Sequence, residues 1–334
     1  MKPKIESRSQ ILISGCYRSG TEYFSLLLSN HPELAVTMYT TSFMRYSYDR
    51  FNPINLKENY TSLLKEAKKR IKIRWNKKLD IEEITSICDK EKNVSYGKLY
   101  DLMMTSLFLN ENKKIWAEKT QLVWREIPDF LNMYPNGKAI NVIRDPRSVL
   151  ASFKKHTYNP EPAYIGAIFN CYDSMQKSIA YQKKYKKNFL LIKYEDLVLK
   201  PKKILRKVFD FLNVSNNNIS LDKSKWIDSY GNKWRFNSEF MEDNDEFDIQ
   251  KSIHRWKGNL DKFEVSLCEY INNDLMKHYD YKIDKKNFEK NEIINYFKKN
   301  KKIKQLYENW EKKKEGAQEF PNDPLDPLNW EENN

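Results

Sequence analysis

The stretch Gln10–Leu28, QILISGCYRSGTEYFSLLL, constrains this chain more than any other part of it. Ile11, Leu12 and Ile13 make an apolar run long enough for a buried parallel strand, Gly15 and Gly20 bound a short loop, and a helical apolar pattern follows. Ser19 with Glu22 three residues later has the form of a capping box, which starts a helix. A strand, loop and helix in this order aim the backbone N–H groups of Cys16–Glu22 at one point beside the positive end of a helix dipole. Such a point binds an anion.

Phosphate-binding nucleotidases carry a lysine and then a serine or threonine after the second glycine, but here Thr21 and Glu22 hold those places. The usual magnesium ligand is missing and an acid replaces it. ATP or GTP hydrolysis is therefore disfavoured, because it relies on the ion to neutralise the transferring phosphate. Anion transfer without a metal is consistent with the loop.

Further along, LAVT, IWAEKT (115–120), KAINVIRDPRSVLASF (138–153) and FLLIKYEDL (189–197) read as strands or strand–helix units, separated by helical patterns. Strands alternating with helices predict an α/β fold with a mostly parallel sheet and right-handed crossovers. Residues from about 57 to 112 read as a helical insertion, and the segment 283–334 as a lysine-rich helix and a tail bearing Pro and Asp. The formal charge of +13 is spread along the chain, which suits a basic groove for a polyanion as well as a solvated surface. No zinc-finger, ribonucleoprotein or helix-turn-helix pattern points to nucleic acid. The four cysteines are far apart and suit a reduced, metal-free interior, and no apolar run reaches membrane-spanning length, so a soluble, cytoplasmic protein is expected.

Several constellations carry chemistry. Arg144 follows a strand, Asp145 can cap the next helix and Pro146 fits its first position. Ser152 lies six residues beyond Pro146, about 9 Å along that helix, so Arg144 and Ser152 could grip an anion along its flank. The plain alternatives are an Arg144–Asp145 pair and a packing role for Ser152. Tyr194 ends the next strand pattern, Arg255 and Trp256 lie in SIHRWKGNL, and Lys119 lies in AEKT, beside Glu118.

Gly15-x-x-Arg18-Ser19-Gly20-Thr21 is similar to the 5′-phosphosulfate loop of the sulfotransferases that use 3′-phosphoadenosine 5′-phosphosulfate (PAPS). The resemblance covers most of residues 11–281. It implies a sulfotransferase domain over 1–282 with a P-loop-like fold and a sulfuryl transfer from PAPS to a hydroxyl, leaving PAP (3′,5′-ADP), with no metal. It further implies cofactor contacts from Gly15, Arg18, Ser19, Gly20, Thr21 and Glu22, a 3′-phosphate site at Arg144 and Ser152, an adenine contact from Tyr194, and a closing loop bearing Arg255 and Trp256. Lys119 resembles the family lysine that reaches the bridging oxygen of the donor, with Arg18 beside it.

Two departures stand out. A family threonine is replaced by Glu22, and the place just after the lysine that holds a histidine in cytosolic members is Gln121. A hydroxyl acceptor needs a base within reach, and Asp49, His156, Glu118 and Glu22 are the candidates. The aromatic and arginine-rich stretch MYTTSFMRYSYDRFNPINL (38–56) suggests a small-molecule or carbohydrate acceptor, because rings and guanidinium groups stack on such ligands. The rival readings are a degenerate nucleotide kinase and a non-catalytic nucleotide- or polyanion-binding protein.

Overall fold

The computed structural model describes residues 10–318 apart from 39, 76, 92, 157–162, 218, 225, 227–248, 285–288 and 300, and apart from the side chains of 73–75, 156 and 302. Five strands, β1 (Ile11–Gly15), β2 (Leu34–Met38), β3 (Ile115–Lys119), β4 (Lys138–Ile143) and β5 (Phe189–Lys193), form one parallel sheet in the order β2-β3-β1-β4-β5. The helices are α1 (Thr21–Ser29), α2 (Phe43–Tyr46), α3 (Lys57–Trp75), α4 (Ile81–Asp89), α5 (Tyr96–Phe108), α6 (Ile127–Met133) and α7 (Pro146–His156), followed by α8 (Ala167–Lys184), α9 (Tyr194–Leu199), α10 (Pro201–Leu212), α11 (Ile249–Ile253), α12 (Lys262–His278), α13 (Lys290–Lys299) and α14 (Lys301–Lys313). The alternation of helix and strand read from the sequence is present, and the sheet is parallel as expected.

Both faces of the sheet are covered, and β1 shows why its residues are apolar throughout. Successive side chains on a strand point to opposite faces. Ile11 and Ile13 pack with Phe24, Leu27 and the α10 residues Leu205, Val208 and Phe209, while Leu12 joins the larger cluster on the other face with Trp116, Leu150 and Phe169. The chain leaves β1 toward β3 and β2 on one side and later returns to β4 on the other. That reversal makes β1 a topological switch point, and open α/β sheets bind ligands at the carboxyl ends of the strands beside such a point.

One expectation is corrected. FLLIKYEDL is not all strand, since β5 stops at Lys193 and Tyr194 opens α9. The lysine-rich segment after 283 is helical, as two helices, α13 and α14, whose Phe297, Ile303, Tyr307 and Trp310 are buried in the larger cluster with Phe169, and the tail read beyond 318 lies outside the described residues. The aromatic stretch is corrected in part as well. Phe43 stacks on Tyr100 at 4.3 Å between centroids, and Tyr46 lies beneath the Arg45 and Arg70 guanidinium groups, so these rings are core.

Candidate functional site

The loop after β1 is tightly wound. Gly15 has no room for a side chain, because a Cβ there would stand 2.5 Å from the Val142 carbonyl oxygen and 2.7 Å from Ser19 Oγ. Arg18 takes a left-handed φ of 65° and Gly20 one of 93°. The expected capping box is absent. Gly20 is the residue that precedes α1, and Ser19 Oγ donates to the Cys16 carbonyl at 2.8 Å, pinning the loop instead of capping the helix. The Tyr194 ring covers Gly20 so closely that a Cβ would lie 2.2 Å from its Cδ2. Gly20→Ala is expected to cost about 1 to 2 kcal/mol through the left-handed backbone and the displaced ring, read as a lower Tm and a loosened Tyr194.

Arginines converge on this loop from three segments. Arg18 Nε donates to Ser152 Oγ at 2.8 Å, and Arg144 Nη1 donates to the Arg18 carbonyl at 2.9 Å. Arg144 Nη2 donates to the Ser252 carbonyl, and its guanidinium lies over the Tyr194 ring at 4.4 Å. Tyr194 Oη is hydrogen-bonded to Ser252 Oγ. Asp145 is not the partner of Arg144: it binds Arg147 through two bonds and caps α7 by accepting from the Arg147 amide at 2.9 Å. Arg144 makes no ion pair among the described residues, and its Nε is buried with no hydrogen-bond partner. Burial, and then repulsion from Arg144 and Arg18, push the Arg255 guanidinium down to about 10. Cations crowded in this way raise the energy of the protein alone and lower it when an anion enters.

Lys119, the last residue of β3, is fully buried and registers with Ile13 of β1. The chain beyond it keeps pairing with the loop: Thr120 N donates to the Ile13 carbonyl, Leu122 N to the Gly15 carbonyl, and Gln121 Nε2 to Thr21 Oγ1 at 3.3 Å. The segment after Lys119 is thus bonded both to the end of β1 and to Thr21, the first residue of α1.

The four base candidates fare differently. Glu118 points to the opposite face from Lys119, as neighbours on a strand must. Its carboxylate accepts from the hydroxyls of Thr40, Thr41 and Tyr100 and from the amides of Ser42 and Phe43. This carboxylate fixes the turn that leads into α2. Asp49 lies on an exposed turn at a φ of 59° and accepts from Asn52 Nδ2. No hydrogen bond among the described residues ties it to the phosphate loop. His156 ends α7, but its side chain lies outside the described residues. Glu22 is in the first turn of α1, beside the loop.

Some contacts of the site have no counterpart in the sequence reading. Ser148 Oγ donates to the Ile253 carbonyl at 2.8 Å, Arg147 stacks on Trp256, and Arg45 Nη1 donates to the hydroxyl of Tyr17 in the phosphate loop at 2.8 Å. Arg147 sits inside the RDPR motif and Ser252 beside the HRW motif, and this proximity was the one available signal.

The parallel sheet with arginines gathered at the loop after its central strand has the fold of a P-loop-like α/β protein with a basic site. A sulfotransferase family model matches residues 10–218, and the chain belongs to the sulfotransferase family. Among solved structures, the sulfotransferase domain from the Synechococcus PCC 7002 olefin synthase is similar, at 18% identity and a TM-score of 0.53, over 85% of this chain and 99% of that one. The sulfotransferase domain from the curacin biosynthetic pathway gives 19% identity and a TM-score of 0.52, over 83% of this chain and 99% of that one. A search of curated protein sequences finds no match. No helix among the described residues is long and apolar enough to cross a membrane.

Proposed function

We propose that this protein transfers a sulfuryl group from PAPS to a hydroxyl of a small-molecule acceptor. The observation that carries the reading is the crowding of Arg18, Arg144 and Arg255 around one crevice, with Arg144 Nε buried and unpartnered. Those residues fit a ligand with separated phosphates. Arg18 and the loop amides would hold the 5′ end, and Arg144, with Ser152 and Arg255, the 3′-phosphate. The donor, when bound, supplies the sulfuryl group and departs as 3′,5′-ADP. Lys119 would stabilise charge on the oxygen that bridges sulfur and phosphorus, and Tyr194, packed over Gly20 and beneath Arg144, would give the nucleotide an aromatic wall. Glu118 serves the α2 turn and does not take the acceptor proton. Phe43 and Tyr46 of the aromatic stretch are core and Tyr39 lies outside the described residues, so a carbohydrate acceptor would rest on the partly buried Tyr48 and Phe51. The domain reading, with the sulfotransferase unit over 1–282, belongs to this proposal.

The test is transfer of ³⁵S from labelled PAPS to a panel of phenols, alcohols and sugars in the presence of EDTA. Labelled product with matching release of 3′,5′-ADP is expected. Magnesium-dependent phosphate transfer from ATP in its place would favour the kinase, and 3′,5′-ADP binding with no transfer would favour the non-catalytic reading.

A further inference from the structure

Trp256 is the one aromatic side chain of the closing loop, and the family resemblance would have it cover the donor. Its ring is engaged elsewhere. The Arg147 guanidinium carbon lies over the ring, 4.1 Å from its centroid. Arg147 is itself locked in its plane: Nε and Nη2 bind the two oxygens of Asp145 at 3.0 and 2.7 Å, and Nη1 binds Glu269 Oε1 at 2.7 Å. Glu269 also accepts from the Asp284 amide at 2.9 Å. With each of its three nitrogens bonded to a carboxylate and its side chain buried, Arg147 is fixed in place beneath the Trp256 ring. A planar guanidinium stacks on indole in a way a lysine ammonium does not.

The position of this stack along the loop gives it a consequence. Arg144 and Tyr194 bind Ser252, and Ser148 binds the Ile253 carbonyl, so the near end of the loop is held at residues 252 and 253. Arg255 follows, and Trp256 anchors the far side. Arg255 thus stands between two fixed points, and its own carbonyl accepts from Asn259 Nδ2 at 2.8 Å, which ties it to the far side of the loop.

We propose that Arg147 is a positioning residue, which, through the stacked Trp256, holds Arg255 in the anion site without touching the donor. The inference rests on the donor reading given above for its effect on binding, and on the loop geometry alone for its effect on order.

The experiment compares the wild type with Arg147→Lys, Trp256→Phe, Trp256→Leu, Arg255→Gln and the doubles R147K/W256L and R255Q/W256L. Affinity for 3′,5′-ADP is read by calorimetry, and amide hydrogen exchange over residues 254–260 reads loop order. R147K and W256L are each expected to weaken 3′,5′-ADP roughly tenfold and to speed exchange in the loop, while W256F, which keeps a stacking ring, stays within about threefold. R147K/W256L should bind no worse than the weaker single variant, because both break one stack. Additive losses in that double, or a W256L loss with loop exchange unchanged, would overturn the proposal by putting Trp256 directly on the donor. Should R147K not fold, R255Q/W256L decides: further weakening beyond R255Q alone refutes positioning through Arg255, and none supports it. A wild type that does not bind 3′,5′-ADP would sink the donor reading, and loop exchange in R147K and W256L would still decide whether the stack orders residues 254–260.

Discussion

Replacing Lys119 with alanine is expected to lower turnover by a factor of a hundred to a thousand, about 3 to 4 kcal/mol at the transition state, while leaving 3′,5′-ADP affinity within a few-fold of the wild type. The split follows from where charge sits. The bridging oxygen carries little of it in the bound donor and much more as the S–O bond breaks, so a cation aimed there acts chiefly on the rate. Lys119 is suited to this by its place on the last residue of β3, level with Ile13 of the strand that feeds the phosphate loop, and by complete burial, which strengthens any electrostatic interaction it makes. The measurement is kcat with an acceptor found in the transfer panel, set against 3′,5′-ADP binding by calorimetry. Because a buried side chain is shortened, thermal unfolding must show that the variant is still folded. A large loss of 3′,5′-ADP affinity with turnover per bound complex preserved would assign Lys119 to ground-state binding.

Arg144→Ala should weaken 3′,5′-ADP by about 1.5 to 3 kcal/mol, the worth of a charge-assisted hydrogen bond, or roughly ten- to a hundredfold. The structure refines how the loss divides between ligands. Arg144 donates to the carbonyls of Arg18 and Ser252, so its removal also slackens the phosphate loop and the closing loop. Some weakening should therefore appear with 5′-AMP as well. The 3′-phosphate assignment requires that 3′,5′-ADP lose at least roughly tenfold more than 5′-AMP, since only the former has a phosphate for Arg144 to hold. Equal losses in a folded variant would make Arg144 a structural brace. Ser152→Ala separates the contributions further. Its hydroxyl accepts from Arg18 Nε, so its loss should free Arg18 as well as remove a donor proposed for the 3′-phosphate, and the Arg18 and Ser152 variants should couple when combined.

What the sequence made legible was local. The β1 strand, the glycine-bounded loop and the start of α1 are encoded within nineteen consecutive residues, and the period of the apolar residues marks the remaining strands. Asp145 as a cap and Pro146 as the first helical residue follow from rules that look only a few residues ahead, and both hold. The same kind of rule failed at Ser19, where the backbone turned left-handed at Gly20 and brought the Ser19 hydroxyl back onto Cys16. Contacts between distant segments were not legible. Arg144 and Asp145 are adjacent in the chain, yet the carboxylate goes to Arg147, and the partners of Arg144 come from residues 18 and 252. Glu118 and Lys119 are likewise neighbours, but the strand sends them to opposite faces, and the Glu118 carboxylate goes to a turn beside α2. Aromatic residues in 38–56 could serve a pocket or a core, and only packing distinguishes the two.

The most direct measurement is a calorimetric titration of the wild-type protein with 3′,5′-ADP in EDTA, beside ATP with and without magnesium. The proposed separate anion sites, at the Gly15–Thr21 loop and at Arg144, predict that 3′,5′-ADP binds without metal, at least roughly tenfold tighter than ATP, and that magnesium adds nothing. ATP binding that equals or exceeds that of 3′,5′-ADP, and appears only with magnesium, would contradict the sulfuryl-donor reading.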